Sequence, residues 1–397
     1  TSVSEADELR IGTENYAPMR QMQGGDLNID PELTRYVNEV GQRLAKVSDR
    51  PGLPYEFVVI NGSVPNAWAL PGGKIAVNRG LLTELENEAE LAAVLGHEIT
   101  HAAARHSAKA IDRAQRASIG VGIAAVILGV SNKKYGGALL GASMIGVGLI
   151  TQKHGRDAEL EADRYGMEYM RRAGYDLNAA VTLQEKFVKL SEGKSSGWLA
   201  GLFASHPPSQ ERVDRNRAKA IALGGGGQLG VESYMQHMKV LNDSTEAYQA
   251  YDEGITALRE NETDTAFEKA DTAISIQPRE AKFYYLKAEA LMTDKKRKQA
   301  LVQLNEAITR NPDYFEFLLA RGLLFKDMKN LNSARQDLQK SIQLFPTALA
   351  HEGLGDINRI QGNREPAMEN YAVAAQSDSE TGRRAARKLQ SMRNKGR

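Results

Sequence analysis

The sequence predicts an α+β protein, mainly α, in two parts: an N-terminal domain built round a small β-sheet, then an α-helical superhelix. Three observations carry this prediction. Apolar residues recur at helical spacing through much of the chain. Two short runs, "YEFVVI" at 55–60 and "KIAVNRG" at 74–80, have strand character. The C-terminal part repeats itself at a fixed period.

In "DPELTRYVNEVGQRLAKVS", Leu33, Tyr36, Val37, Val40 and Leu44 share one helical stripe, and Asp30 and Pro31 suit the cap and the first helical position. The two strand-like runs are separated by "NGSVPNAWALPGG", whose Gly and Pro residues mark turns around a short extended piece. One long helical run is expected from about Glu86 to Ala117, and another in "RDAELEADRYGMEYMRRAG", ending in Gly174. The stretch "LGGGGQLG" reads as a flexible break. The expected domains are therefore 1–228, a linker over 229–246, and repeats over 247–397 with a basic capping helix.

Residues 117–150 are apolar and glycine-rich but are interrupted by "SNKKYG". Each half is shorter than the roughly 18–20 residues that cross a bilayer. A helical hairpin packed on the protein, able to plug a cleft, is the preferred reading; contact with a membrane surface is the alternative.

In the C-terminal part Gly254, Ala288 and Gly322 lie 34 apart, as do Ala266, Ala300 and Ala334, and Pro278, Pro312 and Pro346; a further copy follows at Gly355 and Ala367. Small residues let the two helices of a hairpin approach closely, and the proline closes each unit. This resembles the tetratricopeptide repeat. The resemblance implies a concave face that binds a peptide or protein, against a helical spacer as the plain alternative. The closing "RRAARKLQSMRNKGR" reads as a solvated or frayed helix rather than an anionic-surface contact.

With 397 residues and 42% hydrophobic content the chain has ample material for a core, and its net charge of +1 argues against nucleic acid as a partner. The absence of cysteine removes thiolate metal sites, disulfides and cysteine nucleophiles, so a metal must be held by His, Asp or Glu. Because the sequence starts at Thr1, without a methionine or a leader, a signal peptide is expected to have been removed.

The stretch "LAAVLGHEITHAAARH" carries the chemistry. His97 and His101 are one helical turn apart, so both imidazoles can reach one metal. Glu98 lies about 100° round the helix, where it can act on a water molecule as a general base without being a ligand. A glycine at position 104 and a histidine at 107 would supply a third ligand downstream, but Ala104 and Ser107 stand there. His106 would point off the metal face of a continuous helix, as a polar contact or cap. Glu159 is the better third ligand, because Asp163 follows one turn later and can accept a histidine N–H. Glu161 is the alternative ligand, otherwise a surface acid.

"HEITH", "ELEADRYG", "PNAWALPGGKIAVNRGLL" and "SHPPSQER" occur in the order found in zinc metallopeptidases related to HtpX and the CAAX prenyl endopeptidases, of the gluzincin type. With its repeats, nearly the whole chain resembles the periplasmic BepA-type branch. The resemblance implies a zincin-like fold, one zinc ion on His97, His101 and Glu159, Glu98 as catalytic base and Asp163 behind a ligand. It matches His206 to a histidine with three readings: oxyanion stabiliser, extra metal ligand that closes the resting enzyme, or structural residue. It implies that Asn66, Ala67, Trp68, Ala69 and Leu70 line the cleft as an edge strand for an extended substrate, against a plain turn with a buried Trp68. Full membrane spans, which the HtpX-like members have, do not carry over to 117–150. The implied activity is hydrolysis of misassembled envelope proteins, particularly outer-membrane ones, with the repeats contacting the assembly machinery. The rivals are an assembly factor with a latent or vestigial metal site, and a membrane-surface protease.

Overall fold

The computed structural model of the protein describes residues 2–117, 149–150, 152–193 and 196–394. The body of the expected hairpin over 117–150 lies outside the described residues, and so does any plugging or membrane role read into it. Among the described residues no helix is long and apolar enough to cross a membrane. The chain forms two compact units, which divide between Asp243 and Ser244.

The first unit opens with α1 (Glu5–Met22), started by a reciprocal cap between Ser4 and Asp7. Helix α2 (Pro31–Lys46) buries Leu33, Tyr36, Val37, Val40 and Leu44, the predicted stripe; Asp30 is its N-cap residue and makes no side-chain cap bond. Strands β1 (Glu56–Ile60), β2 (Ala67–Leu70) and β3 (Lys74–Asn78) form a sheet of order β1-β3-β2, with β1 parallel and β2 antiparallel to β3. Gly72 and Gly73 take positive φ in the tight connection from β2 to β3, a region open to glycine. Every residue of central β3 is buried.

After α3 (Arg79–Leu82), the expected single helix over 86–117 is two: α4 (Glu88–Ala103) and α5 (His106–Ala117). Arg105, at φ 60°, breaks the run, and its guanidinium is held by Glu8 at 2.8 Å and by the Val3 carbonyl at 2.6 Å. Helix α6 (Arg156–Arg172) ends at Gly174, which has φ 87°. Helices α7 (Asn178–Glu192), α8 (Ser196–Ala200), α9 (Leu202–Ser205) and α10 (Gln210–Leu223) follow.

Residues 229–243 of the stretch expected to be a linker belong to the first unit, and 244–246 to the second. Gln228 pairs with the turn after α6 through Gln228 N–H to Gly174 O and Asp176 N–H to Gln228 O, at 2.9 and 3.0 Å. The carbonyls of Leu229 and Gly230 accept from Ala89 and Glu88, at the start of α4. Helices α11 (Val231–His237) and α12 (Lys239–Asp243) continue the packing: Tyr234 donates to Leu82 O, and His237 stacks on Tyr36 at 3.8 Å. The glycines give this segment the backbone freedom to close on helix α4, which composition alone cannot tell from a loose tether.

The second unit is a series of helix pairs: α13 (Thr245–Arg259) with α14 (Thr263–Ile276), α15 (Ala281–Thr293) with α16 (Arg297–Arg310), α17 (Phe315–Asp327) with α18 (Leu331–Leu344), and α19 (Ala348–Ile360) with α20 (Arg364–Ala375). Ala266, Ala300, Ala334 and Ala367 are fully buried where the helices meet. A Cβ on Gly254, Gly322 or Gly355 would meet Leu286, Leu338 or Tyr371 at 2.6, 2.9 and 2.5 Å. The terminal helix α21 (Glu380–Asn394) is not merely solvated: Arg384 and Lys388 bind buried Glu352 at 2.6 and 2.8 Å, and Lys388 reaches Asp356 at 2.9 Å.

Helix α4 packs on α2, α6, α7 and β2, and its approach to α6 is backbone to backbone. A Cβ on Gly166 would lie 3.0 Å from Gly96 C and from His97 N. Replacing Gly166 by Val should lower the melting temperature, at a cost of about 1–3 kcal/mol for overpacking. An unchanged thermal transition would show that the two helices can part freely.

Candidate metal centre

Helix α4 is built to be buried. Asn87 caps it by accepting from the Glu90 amide, and His97, Glu98 and His101 are 8%, 2% and 1% exposed. Their one-turn spacing brings the Nε2 atoms of His97 and His101 to 3.0 Å from each other. From α6, Glu159 places Oε1 3.1 Å from His101 Nε2 and Oε2 3.3 Å from His97 Nε2. His206, at the C-terminal cap of α9, sets Nδ1 3.2 Å from His97 Nε2 and 3.0 Å from Glu159 Oε1. One ligand atom from each of these four buried residues lies within 4.8 Å of the other three.

These separations can be tested against a cation. A tetrahedral site with bonds of about 2.0–2.1 Å has ligand-to-ligand edges of about 3.3 Å, and three nitrogens with one carboxylate oxygen are a donor set for a divalent first-row metal. The residues present fit. Two buried carboxylate oxygens, Glu98 Oε2 and Glu159 Oε2, make no hydrogen bond, although Arg212 Nη1 is 3.0 Å from the latter. Burial opposes the charge on Glu159, yet His206, His97 and Arg212 hold its carboxyl well below the ordinary range. Glu98 stands just outside the four, with Oε1 3.3 Å from His206 Nε2. Burial raises its carboxyl pKa, which suits a group that must accept a proton.

Both histidines of α4 are held from behind. His97 Nδ1 lies 2.8 Å from Asp163 Oδ1, and Arg212 grips the same carboxylate through Nε at 2.7 Å and Nη2 at 2.8 Å. Burial works against the charge on Asp163, and Arg212 overrides it, so the carboxyl stays below its ordinary value. His101 Nδ1 meets His106 Nδ1 at 2.8 Å, and His106 Nε2 meets Glu161 Oε2 at 2.9 Å. His106 is thus a polar contact, as expected, but it reaches His101 because the helix breaks at Arg105. Glu161, with a side chain 41% exposed, lies at the edge of the site without being one of the four.

Two participants, Arg212 and His154, and one contact, that of Glu161 with His106, were not read from the sequence. Arg212 sits in the quoted "SHPPSQER", and a buried arginine leaves no mark in hydropathy. The Glu161 contact with His106 depends on the helix break. His154 stacks on the His101 ring at 3.9 Å, and burial drives its pKa down to about 3. A lone histidine in a loop gives no spacing to read.

The strand expected to receive substrate is β2, at an edge of the sheet. Its side chains are buried, with Trp68 2% exposed and edge-on to Tyr16 at 6.0 Å, so what it can offer is backbone. Asn78 N–H donates to Asn66 O, and Asn66 Oδ1 accepts from the Ala67 amide, both at 2.9 Å. The antiparallel alternation then turns the polar groups of Ala67 and Ala69 away from β3.

Residues 31–220 match peptidase family M48, and residues 281–314 and 315–347 match the tetratricopeptide repeat. The beta-barrel assembly-enhancing protease of Escherichia coli (strain K12) is 28% identical over 96% of this chain and 78% of its own length. The mitochondrial metalloendopeptidase OMA1 of Schizosaccharomyces pombe is 40% identical over 45% of this chain and 51% of its own length. Metalloprotease YcaL of Escherichia coli (strain K12) is 29% identical over 56% of this chain and 83% of its own length. Family match and histidine–carboxylate cluster coincide on the same helices: the chain carries a metallopeptidase domain of family M48, followed by tetratricopeptide repeats.

Proposed function

We propose that the chain is a zinc-dependent endopeptidase that hydrolyses unfolded or misassembled proteins in the periplasm, outer-membrane proteins above all. In this reading the repeat array recruits clients or assembly machinery. The observation that carries it is the buried set of His97, His101, Glu159 and His206 with the Glu98 carboxylate beside it. The choice of clients and compartment rests on similarity along 96% of the chain to a protease named for enhancing β-barrel assembly.

His97, His101 and Glu159 would hold one zinc ion. Bound there, zinc supplies polarisation of the scissile carbonyl and acidification of a water molecule. Glu98 takes the proton of the attacking water and passes it to the departing amine. The low-dielectric surroundings of Glu98 favour its protonated form, so the proton is held locally until the amine leaves. Asp163, braced by Arg212, fixes the His97 ring so that Nε2 faces the ion. An extended substrate would pair with the edge of β2 through the Ala67 and Ala69 backbone, which gives affinity with little side-chain selection.

A second reading is favoured by His206. Its ring contacts Glu159 through Nδ1 and Glu98 through Nε2, so it stands where substrate and water would approach. A centre kept shut this way would suit an assembly factor that cleaves rarely. The His206→Ala form separates the two roles by cleavage rate of an unfolded protein: a rise marks a closing residue, and a fall marks a donor to the oxyanion.

The Glu98→Gln form should keep its zinc, measured by elemental analysis, and lose at least about a hundredfold in cleavage of an unfolded protein. Undiminished turnover in that form would refute the assignment of the base. The Asp163→Asn form should bind zinc about 10–100-fold more weakly in chelator competition. Wild-type affinity there would remove Asp163 from the centre.

A further inference from the structure

The two imidazoles of α4 are braced differently. His97 leans on a carboxylate, Asp163, whereas His101 leans on another imidazole, His106, with the two Nδ1 atoms 2.8 Å apart and the rings 69° from parallel. Among the described residues His106 is the one hydrogen-bond partner of His101 Nδ1. His154 covers the face of the same ring, at 3.9 Å, and leaves that edge to His106.

The direction of this contact follows from the metal binding proposed above, on which the inference rests. A His101 ring that offers the lone pair of Nε2 to a metal carries its remaining proton on Nδ1 and donates it. His106 Nδ1 must then accept, so its own proton lies on Nε2, which is 2.9 Å from Glu161 Oε2. In the other tautomer of His106 two N–H groups would face each other across 2.8 Å. An ionised Glu161 only accepts, so it admits a single arrangement of both rings.

The fold keeps this arrangement against local preference. On an unbroken helix His106 would lie about 140° round from His101 and out of its reach. Arg105 instead takes φ 60°, a conformation that a long side chain rarely adopts, and Glu8 and the Val3 carbonyl hold it there. Such conformations persist where the surroundings impose them, and they gather at functional sites. The turn returns His106 to His101 and buries it, 6% exposed.

We infer that His106 is a positioning residue for the metal centre: it fixes the tautomer and the ring angle of His101, and Glu161 fixes the tautomer of His106. The second histidine of α4 is thus set through a relay of two side chains, where the first is set by a carboxylate directly.

Zinc affinity of the full chain in chelator competition, and the visible spectrum of its cobalt(II) form, test this without turnover. The His106→Leu form should bind zinc about 10–100-fold more weakly and shift the cobalt bands. The His106→Asn form, whose side-chain oxygen can accept near the place of Nδ1, should recover to within about threefold of wild-type and restore the bands. The Glu161→Leu form should lose about three- to tenfold, less than His106→Leu, because that side chain is 41% exposed and water can stand in for it. Glu161→Gln keeps an acceptor and should lose nothing. Wild-type affinity in the His106→Leu form overturns the inference, and so does an equal loss in His106→Leu and His106→Asn, which marks a packing role. Either result on a wild-type chain that binds zinc leaves the metal reading standing; a wild-type chain that takes up no zinc removes both.

Discussion

The contact between Gly96 and Gly166 is the constraint on which the site depends. It lets α4 and α6 touch backbone to backbone, with a Cβ on Gly96 only 3.0 Å from Gly166 O. His97 follows Gly96 directly, and Asp163 precedes Gly166 by about one turn. The crossing therefore fixes the His97–Asp163 contact and, one turn further toward the start of α6, the reach of Glu159 to both histidines. A wider helix spacing, as larger residues would impose, would leave the carboxylate short of the rings.

Packing this tightly concentrates charge. Glu98, Glu159 and Asp163 are withdrawn from water around the buried guanidinium of Arg212, 7% exposed, and the imidazoles beside it. Burying carboxylates is costly unless they are paired, and Arg212 pairs Asp163 fully and Glu159 in part. The negative charge left over, on Glu159 and Glu98, is what a divalent ion and a transferable proton would compensate. The same balance explains why Arg212 is gripped from three sides, with its Nη1 also donating to Pro207 O at 2.9 Å.

What could be read from the sequence follows the range of the interactions. His97, Glu98 and His101 are related by helical geometry alone, and Glu159 with Asp163 by the same rule, so all five were legible. The repeat was legible for a similar reason: Ala266, Ala300 and Ala334 report a local helix pair, copied. The failures involve partners far apart in the chain. The break at Arg105 is held by Glu8 and Val3 from the N-terminus. The glycine run at 223–230 resembles a tether until its partners at Gly174, Glu88 and Ala89 are known. The basic run of α21 resembles a solvated helix until Glu352 and Asp356 are found beneath it. Positive φ at Asn261, Lys295 and Lys329, in the bends between paired helices, likewise follows from the packing of each pair, since lysine has no preference for that conformation.

The closure of α4 by the carbonyls of Leu229 and Gly230 has a consequence for biogenesis. Chain growth runs from the amino end, so the helix with the two histidines is synthesised well before the residues that complete its first turn. Arg212 and His206 also arrive late, long after Glu98 has emerged. A nascent chain thus carries Glu98 through synthesis without an assembled centre around it. The order of residues is itself a delay: the buried cluster closes only when the first unit is whole.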